Sequence, residues 1–268
     1  MSQTIASLDA AKNTYEEFGW YRSSARLGGE TLDRIRLAVD ALSREERPEV
    51  VCEKGTDVVR AIHGCHLYDE TMAKLVRFPL FVELAEALVG DSVYVYQFKV
   101  NLKQSYEGAA WPWHQDFAFW KFEDRMPEAR AVNIAVLIDE TDEHNGPLRV
   151  LSGTHQMGVV GVEDEADKRS GDWRNHVSAD LEYTVPLEYA ERLEREHGSD
   201  LIMGPAGSIY AFHPSLVHAS SSNLSPNRRA LMLITYNAIS NAVHSSPRPE
   251  FLVSTDPRPV VALAENRL

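Results

Sequence analysis

Along the first ninety residues, apolar side chains recur at steps of three and four, the spacing that lines one face of an α-helix. Leu8 to Phe18 carries that spacing and stops near Gly19. Glu30 to Leu42 sets Leu32, Ile35, Val39 and Leu42 on one face. Glu70 to Leu88 does the same with Leu75, Leu80, Leu84 and Leu88, is interrupted at Pro79 and is closed by Gly90. From Ser92 the period becomes two. Ser92 to Lys103 alternates, is rich in β-branched and aromatic residues, and predicts a strand. Ala131–Ile138, Pro147–Leu151, Gly207–Phe212 and Ala230–Tyr236 predict further strands, separated by turn signals such as Asn145-Gly146-Pro147 and Ser225-Pro226-Asn227. Pro186 to His197 reads as a helix ending at Gly198, and the charged stretch Asp164 to Arg174 as a loop or lid insert. Helices first and strands after predict an α+β, mainly β chain: a jelly roll of two sheets backed by N-terminal helices. With no repeat or linker, residues 1–268 read as one domain. It would have a mainly helical flank over 1–90, a core over 91–240 with an insert near 160–200, and a C-terminal tail over 241–268.

Composition narrows the partners. The formal net charge is −13 and no basic run occurs, which excludes a phosphate-tracking nucleic-acid surface. No stretch is long and apolar enough for a membrane span, and the first twenty residues lack the apolar core of a secretory signal. Two cysteines, Cys52 and Cys65, are too few for a disulfide framework and match no zinc spacing. These features predict a cytoplasmic protein, monomer or homodimer, acting on a small molecule.

The strongest chemical signal is Trp111-Pro-Trp-His-Gln-Asp-Phe117. On an extended segment His114 and Asp116 point to the same side, so an imidazole and a carboxylate converge on one cation. Trp111, Trp113, Phe117, Phe119 and Trp120 crowd the pair, the composition of a wall that excludes water. A buried Asp without a counter-charge is costly, so this setting itself asks for a cation. A second histidine would complete the two-His, one-carboxylate triad of non-haem iron oxygenases. Of ten histidines, His218 is the choice, because Arg229 follows eleven residues later at the start of a strand. An arginine there supplies a fork for the distal carboxylate of an anionic co-substrate. Arg228 is the alternative, as a simple salt-bridging residue. His213 and His155 are expected to have structural hydrogen-bonding roles. His63, His66, His144, His176, His197 and His244 are read as exposed or satisfied.

Several motifs in order carry a resemblance. Trp113-His-Gln-Asp-Phe117, Trp120, Glu123-Asp-Arg-Met-Pro127, Arg130-Ala-Val132, Asn145-Gly-Pro-Leu148 and Ser152-Gly-Thr-His155 resemble the phytanoyl-CoA dioxygenase family, nearest its ectoine hydroxylase-like members. Tyr96-Gln97, Asn101 and His218-Ala-Ser-Ser-Ser-Asn223 with Arg229 extend the likeness, which runs from about Val89 to Tyr236. The resemblance implies a cupin-like double-stranded β-helix and an enzyme using iron(II), 2-oxoglutarate and dioxygen to hydroxylate an unactivated C–H bond, releasing succinate and carbon dioxide. It implies iron ligands His114, Asp116 and His218, and a co-substrate site of Arg229, Asn101, Ser220 and Gln97. Trp120, Phe119, Trp111 and Lys99 are expected to face the substrate. Lys99, Phe119 and Trp111 stand where the ectoine enzymes have Arg, Thr and Phe, which predicts a substrate other than ectoine, larger or flatter.

The carboxylate at Asp116 fills the position that halogenases of this architecture leave to a small residue, and so argues for oxygenation. Desaturation, epoxidation and ring closure share the same chemistry and stay open. So do a cupin-like metal enzyme or a binding protein on this fold without 2-oxoglutarate, which would need no Arg229.

Overall fold

The structure is a computed structural model and describes residues 5–162, 173–177 and 181–268. Helix α1 (Ile5–Phe18) leads into strand β1 (Trp20–Arg26), and α2 (Gly29–Leu42) buries the predicted face, Leu32, Ile35, Val39 and Leu42. Each of those side chains contributes about 1.5–3 kcal/mol by leaving water. The stretch read as one interrupted helix is two, α3 (Glu70–Leu75) and α4 (Pro79–Val89). Proline lacks the N–H that would continue the first helix, but it fits the first turn of the second. Gly90, at a φ of 68°, ends α4 in the left-handed conformation that glycine adopts freely.

The first ninety residues are less helical than their pattern suggested. Besides β1 they contain β2 (Val50–Cys52) and β3 (Val59–His63). All three are edge or near-edge strands of the larger sheet; β2 and β3 are short, and β1 buries a single position, so none shows alternation. The remaining strands of that sheet are β4 (Val93–Lys103), β6 (Ala131–Leu137), β9 (Ser208–Phe212) and β11 (Arg229–Ala238). Its seven strands run in the order β1-β9-β6-β11-β4-β3-β2. A four-stranded sheet, β5-β10-β7-β8, consists of β5 (Trp111–His114), β7 (Leu148–Val150), β8 (Asp200–Ile202) and β10 (His218–Ser220). Every pairing is antiparallel. This is the cupin-like jelly roll the sequence predicts, with two further helices, α5 (Asp116–Phe122) and α6 (Leu187–His197).

The larger sheet has two unlike faces. Phe98, Val100 and Leu102 of β4, Val132, Ile134 and Val136 of β6, and Ala230, Met232 and Ile234 of β11 join the main core cluster with α1, α2, α3 and α4. The alternate residues of β4, Gln97, Lys99 and Asn101, line a pocket. A β-bulge at the Gln97 end adds to this face. Thr235 pairs with Gln97 but Tyr236 pairs with Val95, so Tyr96 is the extra residue. A bulge re-aims side chains. Here it lets Tyr96 and Gln97, consecutive in the chain, serve the same side, with Tyr96 joining the cluster around Trp120.

Candidate active site

Two paired strands of the smaller sheet present the histidines. His114 closes β5 and His218 opens β10, opposite it in register, with ring centroids 4.2 Å apart. Nδ1 of His114 lies 2.7 Å from the carbonyl of Pro112, and Nδ1 of His218 lies 2.9 Å from that of Leu216. A carbonyl only accepts, so each Nδ1 carries the proton and each Nε2 is left with its lone pair. Asp116 does not continue the strand, contrary to the extended reading. Gln115 is extended, at φ −124° and ψ 127°, and Asp116 is the first residue of α5. The extended step at Gln115 still turns the carboxylate toward the imidazoles. Donor atoms of His114, Asp116 and His218 lie within 4.8 Å of one another, and all three residues are buried.

The carboxylate is held from the larger sheet. Asn133 Nδ2 donates to Asp116 Oδ2 at 2.8 Å, and Thr235 Oγ1 donates to Asn133 Oδ1 at 2.6 Å. Lys99 Nζ lies 3.4 Å from Asp116 Oδ1. Burial raises the carboxyl, but Lys99 and the two imidazoles outweigh it and hold Asp116 ionised, at about 2. Burial pushes His114 down to about 3 and also lowers His218, so both imidazoles stay neutral. A neutral pair of imidazoles with a carboxylate, oriented by partners behind them, is a donor set suited to a divalent transition metal.

Arg229 opens β11 and is 1% exposed. Nε donates to the carbonyl of Gly146 at 3.0 Å, and a second guanidinium nitrogen donates to the same oxygen. Among the described residues no carboxylate pairs with it, and burial lowers its guanidinium to about 9. Gly146 is required there. Its φ is +81°, and a Cβ would meet Lys103 Cδ at 2.6 Å and the Ser221 carbonyl at 2.7 Å. The neighbouring Arg228 is the salt-bridging one, to Asp139 and Asp40.

The pocket is lined by Gln97, Lys99, Asn101, Trp111, His114, Asp116, Phe119, Trp120, Ser220 and Arg229 of the expected residues; His218 is not on its lining and meets the site through its contacts with His114 and Asp116. Trp113 is not among them; it packs against the cluster of Leu151, Val160 and Val217 instead. His213 and His155 do have structural roles, accepting from the Ser215 amide and meeting the Glu16 carbonyl. His63 departs from its reading. It is buried, lines the pocket, and its Nε2 has no hydrogen-bond partner. Arg248 and Leu252, from the tail, also line the pocket. Of the expected lid, residues 163–172 lie outside the described residues. Val177 and Leu181, which follow it, border the pocket.

A donor set of this kind beside an unpaired arginine is the arrangement the family likeness predicted, and comparison with known proteins decides it. The sequence profile of the phytanoyl-CoA dioxygenase family matches residues 15–231. The chain belongs to the phytanoyl-CoA dioxygenase family. It is 51% identical to the L-proline trans-4-hydroxylase of Streptomyces griseoviridis over the whole of both chains. It is 31% identical to the ectoine dioxygenase of Bordetella bronchiseptica, over 90% of this chain and 80% of that one. The crystal structure of EctD from S. alaskensis with 2-oxoglutarate and 5-hydroxyectoine superposes with a TM-score of 0.82 at 25% identity, covering 98% of this chain and 90% of that one. Like those relatives, this phytanoyl-CoA dioxygenase family member is a 2-oxoglutarate-dependent, non-haem iron dioxygenase that uses iron(II), 2-oxoglutarate and dioxygen as a hydroxylase. Among the described residues no helix is long and apolar enough to cross a membrane.

Proposed function

We propose that the enzyme hydroxylates L-proline, or a closely similar cyclic amino acid, at carbon 4, with iron held by His114, Asp116 and His218 and 2-oxoglutarate anchored by Arg229. The observation that carries this reading is the order of charged groups along the pocket. Lys99, beside Asp116, stands near its middle. Lys103, opposite Arg229 in register, stands at one end of β4. Tyr96 and Gln97 stand toward the other end, where Tyr96 reaches the acid that pairs with Arg248. The pocket therefore has a buried cation on either side of the three donors. A dicarboxylate co-substrate takes the unpaired one, and the carboxylate of an amino acid takes Arg248.

The residues fit the absent groups. Asn101 Oδ1 and Ser220 Oγ are buried without partners. Both lie toward Arg229: Asn101 pairs with Leu231, and Ser220 pairs with Leu148, two residues from Gly146. Gln97, expected with the co-substrate, lies four residues further along β4 from the Arg229 end than Asn101, and we place it on the substrate side. Bound iron(II) and 2-oxoglutarate supply the oxidising chemistry, drawing on dioxygen and releasing succinate and carbon dioxide. Asn133 and Lys99 fix the Asp116 carboxylate, and the Nδ1 bonds fix both imidazoles. Phe119 and Trp120 close the pocket with apolar surface and keep bulk water from the reacting carbon. A lining that includes Trp111, Phe119, Trp120 and Leu252 supports a compact, partly apolar substrate. The bulk of Trp111 and Phe119 then serves to narrow the site around a small ring. Free thiols at Cys52 and Cys65 support a cytoplasmic setting.

The test supplies iron(II), 2-oxoglutarate and dioxygen with L-proline or ectoine. One succinate per trans-4-hydroxyproline, with ectoine poorly turned over, is expected. Turnover of ectoine but not of proline would remove the substrate assignment and leave the reaction class intact.

A further inference from the structure

Three buried polar atoms that line the pocket lack hydrogen-bond partners: Asn101 Oδ1, Ser220 Oγ and His63 Nε2. Leaving such a group unsatisfied carries the desolvation penalty of a buried polar atom. The first two belong to the Arg229 end, where a co-substrate meets them. His63 stands further from Arg229, level with Lys99. It closes β3 opposite Lys99, and its imidazole feels the charges of Lys99 and Arg248. Its backbone is pinned, with the amide donating to the Glu49 carbonyl at 2.9 Å and the carbonyl accepting from Tyr68 Oη at 2.9 Å.

We propose that His63 reads the substrate, its Nε2 accepting a hydrogen bond from the ring nitrogen of a cyclic α-amino acid whose carboxylate lies on Arg248. The inference rests on the substrate class proposed above. In an α-amino acid the nitrogen and the carboxylate share one carbon, so a group that holds the carboxylate brings the nitrogen to the wall beside it. His63 lines the same pocket and feels the Arg248 charge. A protonated ring nitrogen only donates and needs an acceptor. Lys99 and Arg248 are donors only. Asp124 is occupied by Arg248 and Tyr96, and Asp116 belongs to the metal set. Neutral acceptors remain on this side: the side-chain oxygen of Gln97, which opens toward the pocket, and Nε2 of His63, which is buried without a partner. Burial, reinforced by Lys99 and Arg248, holds His63 down to about 3, so the neutral ring keeps one lone pair, which the proposal assigns to Nε2. An imidazolium there would repel the substrate nitrogen.

The test compares L-proline with (S)-tetrahydrofuran-2-carboxylate, which has the same ring and carboxylate but an ether oxygen in place of the N–H donor. Dissociation constants are measured by calorimetry on the anaerobic enzyme loaded with iron(II) and 2-oxoglutarate, for wild type, His63→Phe and His63→Gln. Wild type is expected to prefer proline by about 10–100-fold, the scale of one hydrogen bond to a charged donor. His63→Phe should collapse that preference to within about threefold by weakening proline alone, and His63→Gln, which keeps an acceptor, should restore part of it. An unchanged 2-oxoglutarate titration in each variant shows that the fold and the co-substrate site survive. Equal weakening of both ligands in His63→Phe, or an undiminished preference, overturns the inference while leaving proline as substrate. Failure of the wild type to bind or turn over proline overturns the substrate reading and this inference with it.

Discussion

Two arginines are buried in one pocket, and their surroundings are opposite. Arg248 is clamped by Asp124, which is fully buried and also accepts from Tyr96 Oη at 2.5 Å and Ser246 Oγ at 2.7 Å. Burial disfavours the Arg248 guanidinium, but the Asp124 charge outweighs it and raises Arg248 above its ordinary range. Arg229 has only a backbone carbonyl, and burial lowers it to about 9. A buried charge without a counter-ion is unfavourable in a low-dielectric interior. In the proposed reading the co-substrate brings the charge missing at Arg229. Arg248 already has its charge balanced by Asp124, and in the same reading it is a rigid hydrogen-bond donor for a ligand that is zwitterionic overall. The difference separates a site completed by its ligand from one prepared for it.

The largest expected break is at the metal, which serves both ends. His114→Ala should abolish turnover and iron retention together while the protein stays folded, as read by metal analysis and circular dichroism. Residual turnover within tenfold of wild type would show that His114 is not a ligand. The next strikes one end only. Asp124→Asn leaves Arg248 buried without its counter-charge, which should destabilise the fold by roughly 3–5 kcal/mol in urea unfolding. It should raise KM for proline while KM for 2-oxoglutarate stays near wild type. A change in both would show that the two ends are not separable. The smallest effect is a near-absence. Histidines at their ordinary value of about 6.5 would each lose about tenfold in metal affinity between pH 7.5 and 5.5. His114, at about 3, stays neutral across that window and His218 is also lowered, so iron affinity should fall by less than about tenfold, against about a hundredfold for two ordinary histidines. The sign for stability is the reverse. In that same window the unfolded chain takes up protons at these histidines and the folded chain does not, so their contribution to stability falls as the pH falls through 6.5. Loss of iron affinity near pH 6.5 would contradict the buried, neutral pair.

The long strands, the helix faces and the residues that converge at the site were legible in the sequence because each has a local signature. Alternation marked β4 and β11, spacing of three and four marked α2, and motif order marked His114, Asp116, His218 and Arg229. The substrate end was much less so. His63 sits on a five-residue strand flanked by nothing that distinguishes it. Arg248 lies outside regular secondary structure, 132 residues from the metal carboxylate, and its role depends on Asp124 and on a bulge at Tyr96 that no local pattern reveals. Trp113 misled in the other direction. It shares β5 with His114 but packs away from the pocket, and a register irregularity in that strand lets Trp111 and His114 both line it. Short edge strands and long-range ion pairs are set by tertiary packing, and a window of neighbouring residues does not contain them.

The most direct measurement is an anaerobic titration of the iron(II) enzyme with 2-oxoglutarate, followed by the weak visible charge-transfer band of the chelated co-substrate and completed by addition of L-proline. Wild type, Arg229→Ala and Arg248→Lys are compared. The account predicts that Arg229→Ala weakens 2-oxoglutarate on the order of a hundredfold. It predicts that Arg248→Lys titrates like wild type with 2-oxoglutarate but loses the spectral response to proline. Wild-type 2-oxoglutarate affinity in Arg229→Ala, or a loss of it in Arg248→Lys, would contradict the division of the pocket between the two arginines.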